Sequence, residues 1–339
     1  KDWEYTNNYQ DITLYLRKGL KWSDGEPFTA EDYLYWWEHF ANVEELQPVS
    51  PDKWDPPLMN VTSEDKWTVT FHYGRPNPFM HRFDLTTHLG AWQLGPAHYM
   101  KQFHPDFVDK DKLMEKVEEA GLDLWYEYYQ YMSNRFNPER EVRPTILPYV
   151  AVERTENYLL AERNPYFPFV DSEGNQLPYI DEIRLNLAND DGMIAAKATT
   201  GEATIAGIKF SADQIPMFKN NEEKGNYKTY IYKAGRGSAV TIFPNYTIDD
   251  PELKEIFHDE RFRKALSLSI DRDNINRKIY FGRGTPRQST VIPTAKYFKE
   301  EFAEAYTDFD QERANKLLDE MGMKDVNGDG YRERPDGKT

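Results

Sequence analysis

Apolar and polar positions alternate from the first residues of the chain. Ile12, Leu14 and Leu16 are interleaved with Thr13, Tyr15 and Arg17, the period of a strand with one buried face. Trp3 and Tyr5 precede it across a polar Asn7-Asn8 pair, so a hairpin is expected. The stretch 66–73 alternates in the same way and stops at Gly74 and Pro76. Between these segments the period lengthens. Tyr33, Trp36, Trp37 and Phe40 recur at three-to-four spacing, which predicts a helix over 30–42. Thr29 caps it, with Asp32 three residues on as the returning partner of a capping box. Trp36-Trp37 is read as core. Residues 48–57 read as loop. A helical pattern covers 103–131, and its aromatic cluster Trp125, Tyr126, Tyr128, Tyr129 and Tyr131 is read as helix packing.

Farther along, strands are expected at 157–163 and 180–187, flanking a long turn at 171–178. A helix over 191–200 ends at Gly201, which suits a left-handed cap. Ser211 starts another helix. Strands are expected at 228–233 and 239–243, joined through Gly235-Arg236-Gly237-Ser238. Helices follow at 251–256, 261–270, 273–280 and 311–321. Short strands alternating with helices after residue 155 indicate α/β architecture. The first hairpin has no sheet before it, and the turn residues of 325–330 and 335–337 precede no returning strand. A lone hairpin is marginal in water, so the chain is expected to be part of a longer protein lacking both ends.

Composition narrows the function classes. With 339 residues, two or three domains are expected. Aromatics are 15% of the chain, enough to build cores. Acids outnumber bases 58 to 42, a net charge of -16, which makes nucleic acid and anionic membrane poor partners. There is no apolar run of roughly 18 residues and hence no transmembrane helix. The absence of cysteine excludes thiol chemistry, disulfides and Cys-ligated metals but does not fix the compartment. The enzyme signatures His-Glu-x-x-His, Gly-x-Ser-x-Gly and the P-loop are missing. Gly235-x-Gly237 lacks the third glycine of a dinucleotide fingerprint. The seven histidines show no paired metal spacing, and His98 and His104 are read as structural or surface groups. Asp325, Asn327 and Asp329 with Gly330 match the start of a calcium loop, but the twelfth position is Asp336 rather than Glu and no helix follows. A turn is the preferred reading, and no metal or cofactor is expected.

Four ordered segments resemble the extracellular solute-binding proteins, family 5, of ABC importers, which take oligopeptides, dipeptides, nickel or oligosaccharides. The first is 16–32, Leu-Arg-Lys-Gly-Leu-Lys-Trp-Ser-Asp-Gly-Glu-Pro-Phe-Thr-Ala-Glu-Asp. The second joins Glu162-Arg163-Asn164-Pro165-Tyr166-Phe167 to Leu177-Pro178-Tyr179-Ile180-Asp181-Glu182-Ile183, with Phe167-Pro168 where Tyr-Trp is common. The third is 201–206, with Thr204 at a usual Asp. The fourth is 259–267 with Ile270-Asp271-Arg272. The resemblance implies an α/β fold of the periplasmic-binding-protein type II (cluster C), two-lobed with an extra subdomain and truncated. It implies that 1–155 is the extra subdomain of the first lobe, 156–236 its α/β part, and 237–339 the incomplete start of the second lobe.

A cleft for a sugar or peptide needs flat apolar faces beside a few fixed polar groups. Trp92, on a loop between Gly90 and Gly95-Pro96, is a ligand candidate with core packing as its alternative. Arg143 and Thr145 sit where relatives carry a segment approaching the cleft; a surface ion pair is the alternative for Arg143. Arg236 and Ser238 fall at the expected interlobe crossover, where a hinge role is favoured over direct contact. Tyr232 and Asn245 complete the candidates. The expected function is non-enzymatic: capture of an extracellular oligosaccharide or oligopeptide and delivery to permease subunits of an ABC transporter. The protein would be a monomer, periplasmic or extracellular, with a lipid anchor through a preceding segment left open. The rival is a carbohydrate-active hydrolase with a carboxylate pair.

Overall fold

The computed structural model describes residues 2–80, 94–136, 142–207, 210–232 and 240–338. They fall into two compact units, 1–188 and 189–339. The boundary expected at 236 and the candidates Trp92, Arg236 and Ser238 lie outside the described residues.

The first unit opens with β1 (Asp2–Thr6) and β2 (Asp11–Tyr15), the expected hairpin. Helix α1 (Ala30–Trp36) follows and widens into a π turn at Trp37–Ala41. Strands β3 (Leu58–Asp65) and β4 (Thr68–Tyr73) complete an antiparallel sheet of order β1-β2-β4-β3. Strand β4 buries every second residue, and Val69 and Phe71 face Leu14 and Ile12 across the ladder. Onto this face α1 lays Ala30, Tyr33 and Trp36, closing a core with Trp22 and Phe28. The capping box is present as expected: Thr29 Oγ1 accepts from Glu31 N, and Asp32 Oδ2 accepts from Thr29 N at 2.9 Å. Asp32 also accepts from Ala97 N and Trp22 Nε1, so one buried carboxylate ties the helix start to two other segments. Burial raises its pKa against these hydrogen bonds.

The helix expected over 103–131 is several pieces. Helix α2 (Ala97–Met100) precedes that range, which itself holds α3 (Lys110–Glu119) and α4 (Trp125–Ser133), separated by a loop. The break before α3 follows from Asp109, whose side chain accepts from Asp111 N and Lys112 N and so starts a new helix. The aromatic cluster is core packing: Tyr128 and Tyr129 are buried with Phe103, Leu113 and Val117, and Trp125, Tyr126 and Tyr131 pack against them. Strands β5 (Tyr149–Arg154), β6 (Tyr158–Arg163) and β7 (Glu182–Asn186) form a second antiparallel sheet in that order. Its first pair joins residues on both sides of the boundary expected at 155.

In the second unit, α5 (Asp191–Thr199) ends at Gly201 with φ +81°, and a Cβ there would meet the Gly225 carbonyl oxygen at 2.2 Å. Helices α6 (Ile215–Asn220) and α7 (Glu222–Gly225) follow a capping box on Ser211. Then come α8 (Pro251–His258), α9 (Glu260–Leu268), α10 (Arg272–Ile279), α11 (Glu300–Glu304) and α12 (Gln311–Glu320). Ala265, Leu268 and Ala314 form a small core between α9 and α12. The strands expected at 228–233 and 239–243 are absent from the described parts of those segments. Alternation marks side chains able to pack on a sheet, but a strand also needs a neighbour for its hydrogen bonds, and Tyr230, Ile231, Ile242 and Phe243 are exposed.

Candidate functional site

The site is built on the segment 143–148, which enters β5. Its backbone is held from two sides. Ser23, in the tight turn after β2, donates its N–H to the Thr145 carbonyl at 3.0 Å, and its Oγ accepts from Thr145 N at 3.0 Å. Asn164, at the end of β6, is fully buried; its Nδ2 donates to the carbonyls of Thr145 and Leu147 at 3.2 and 2.9 Å. Its Oδ1 accepts from Tyr166 N, and its own N–H donates to Pro148 O. The two flanking turns also touch each other. Tyr166 lies against Gly25, where a Cβ would come within 3.1 Å of the phenol oxygen, and Lys21 Nζ sits 5.0 Å from the centre of the Tyr166 ring.

The geometry brings Arg143 and Thr145 together as lining of one cavity of about 220 Å³. Its floor is one face of the second sheet: Ala151, Leu159, Ala161, Ile183 and Leu185, brought side by side by the two-residue period of β5, β6 and β7. Arg135, Arg143 and Tyr149 also line it. Arg143 also lines a second cavity of about 150 Å³ with Tyr35, Trp36, Met100 and Tyr129.

Arg143 is only 6% exposed. One guanidinium nitrogen donates to the Leu94 carbonyl at 3.1 Å, while Nε has no hydrogen-bond partner among the described residues. Burial, reinforced by the charge of Arg135, pushes its pKa down to about 10, with Tyr129 and Tyr99 opposing, and no carboxylate among the described residues contributes. It therefore stays a cation at neutral pH. A buried cation with no acidic partner among the described residues is costly to hold by itself, and beside an apolar face it suits a solute that brings its own oxygen atoms, as a carboxylate or a row of sugar hydroxyls does. Thr145 is a tie-point: its hydroxyl oxygen accepts from Leu147 N at 3.2 Å.

The other candidates stand elsewhere. Tyr232 and Asn245 belong to the second unit. Tyr232 is 83% exposed and stacks on Tyr230. Asn245 Oδ1 accepts from the N–H and hydroxyl of Thr247 in a local turn. The run from Asp325 closes on itself: Asp325 takes the N–H groups of Gly328 and Gly330, Asn327 takes that of Asp329, and Asp329 takes that of Tyr331. These oxygens serve a turn. Ser23 and Asn164 were not singled out as site residues; both lie within motifs quoted above, and that was the available signal. Among the described residues no helix is long and apolar enough to cross a membrane.

The family model described as bacterial extracellular solute-binding proteins, family 5 Middle, matches residues 1–339. The periplasmic alpha-galactoside-binding protein of Rhizobium meliloti (strain 1021) is 26% identical over 362 residues, covering 100% of this chain and 47% of that protein. The oligopeptide-binding protein OppA of Lactococcus lactis subsp. lactis is 26% identical over 345 residues, covering 96% and 52%. A solved oligopeptide-binding protein OppA superposes with a TM-score of 0.70 at 36% identity, covering 99% of this chain and 53% of that one. The periplasmic binding protein MelB of Agrobacterium fabrum C58, solved with stachyose, gives 0.71 at 23% identity, covering 100% and 50%. The chain spans about half the length of the relatives it matches.

Proposed function

Because this chain belongs to the bacterial extracellular solute-binding proteins of family 5, we propose that it is the solute-capturing part of an ABC importer's binding protein. Its fold is that of the type II periplasmic binding proteins. The ligand is an oligosaccharide or an oligopeptide, delivered to membrane permease subunits by a monomer working in the periplasm or outside the cell. Residues 1–155, 156–236 and 237–339 serve as extra subdomain, first lobe and start of the second lobe of the whole protein. Capture shifts a hinge equilibrium when the ligand touches both lobes.

The observation that carries this reading is Arg143, a buried cation without a carboxylate partner among the described residues, lining one cavity with an apolar sheet face. A guanidinium recognises oxygen atoms by charge and hydrogen bonds, as a binding protein requires. The test uses the full-length protein with stachyose and with a set of tetra- to hexapeptides. One class is expected to raise the melting temperature with no new products by chromatography. Arg143→Met is expected to weaken that ligand roughly tenfold or more, since a hydrogen bond to a charged group contributes about 1.5–3 kcal/mol. Hydrolysis products would establish the rival enzyme, and an unchanged affinity in Arg143→Met would remove this residue from the site.

A further inference from the structure

The first unit brings together two histidines that lie 65 positions apart. His39 is in the π turn after α1, and His104 and Asp106 are in the loop between α2 and α3. Asp106 Oδ2 lies 3.0 Å from His39 Nδ1 and 3.6 Å from His104 Nδ1. The three donor atoms all fall within 4.8 Å of one another. A tetrahedral ion with donors at 2.0–2.1 Å spaces neighbouring donors about 3.3 Å apart, and the two distances from Asp106 bracket that figure.

The surroundings prepare each donor. His104 Nδ1 accepts the backbone N–H of Asp106 at 3.2 Å, so it is the unprotonated nitrogen of the ring, and an ion bound there would take over the lone pair that this hydrogen bond now uses. The ring is buried among Trp125, Tyr129 and Phe107, at 5.1, 6.0 and 5.9 Å between centroids. His39 is held edge to face by Phe107 at 4.6 Å, and its second nitrogen Nε2 lies 3.7 Å from Glu38 Oε2. A carboxylate behind the distal nitrogen is the outer partner that metal-bound imidazoles commonly have. The Asp106 side chain is 58% exposed, which leaves an approach from solvent.

We propose that His39, His104 and Asp106 form a site for one divalent transition-metal ion of the zinc type, with a fourth position open to water. Two imidazole nitrogens and one carboxylate favour zinc, cobalt, nickel or copper over calcium and magnesium. Binding replaces the hydrogen between His39 Nδ1 and Asp106; the neutral imidazole then carries its proton at Nε2, toward Glu38. The proposal is independent of the solute-binding reading.

The experiment titrates the chelator-stripped chain with zinc chloride by calorimetry and follows melting. One equivalent of zinc is expected to bind and raise the melting temperature, and cobalt is expected to give the visible absorption of a tetrahedral site. His39→Asn and Asp106→Asn, both reaching solvent, are each expected to weaken zinc about tenfold or more while keeping the parent circular dichroism. Undiminished zinc affinity in both variants overturns the proposal, as does calcium binding equal to zinc. Failure of the folded parent to bind zinc overturns it too.

Discussion

A few buried polar side chains hold the first unit's turns in register. Asn164 joins β6 to the segment 143–148 and to Tyr166, all through hydrogen bonds that water cannot replace once the side chain is fully covered. Asn164→Ala removes the partner described for the Leu147 carbonyl and for the Tyr166 N–H, while the Thr145 carbonyl keeps Ser23 N–H, and is expected to cost about 3 kcal/mol. Urea denaturation followed by tryptophan fluorescence measures it, and a loss below about 1 kcal/mol would mean that those groups find other partners. These residues were legible as motifs, because residues 16–32 and 162–167 are the segments that clamp each other in space. The grouping of His39 with Asp106 was not legible: contact across 67 positions leaves no spacing signal in one sequence.

Elements were readable where one face alone is buried. Strand β4 alternates without a fault, and α1 carries its cap, so both were anticipated. Strands β3 and β5 were not. In β3 the sequence Leu58-Met59-Asn60-Val61 breaks the two-residue period because the ladder with β4 shifts register at Leu58/Asn60. The opposite error, strands expected at 228–233 and 239–243, arose from side-chain pattern without knowledge of a pairing neighbour. One of these segments is tethered at its start by Glu222, whose carboxylate accepts from Lys219 Nζ and Thr229 N, both at 2.7 Å. The lysine contact, with the Thr229 bond, pushes its pKa down to about 2. Because the folded pKa is depressed, the tether's contribution is present above the unfolded pKa of about 4.3. It is lost as pH falls through about 2. Glu222→Gln is expected to flatten the acid limb of a melting-temperature profile between those values. A limb identical to the parent's would show that the tether contributes nothing.

At the scale of the molecule, the two units differ in how much they bury. The first closes two aromatic-rich cores, whereas the cluster between α9 and α12 has three buried members, two of them alanine. Burial supplies most of the drive to fold, so native-state hydrogen exchange is expected to protect the amides of Val69 and Phe71 more than those of Ala265 and Leu268. Equal or reversed protection would show that the second unit draws its stability from elsewhere. The α/β class and the family were legible because their motifs recur in order. The unit boundary at 188 was not, since no change in composition marks it.

Tyr230, Ile231, Tyr232, Ile242 and Phe243 face solvent along two stretches without regular secondary structure. Bare peptide groups beside greasy side chains are a template for chain-to-chain zippering. A concentrated stock of this span is therefore prone to clouding and gelling, starting at those residues, and a lysine in place of Ile231 acts as a gatekeeper that keeps it clear.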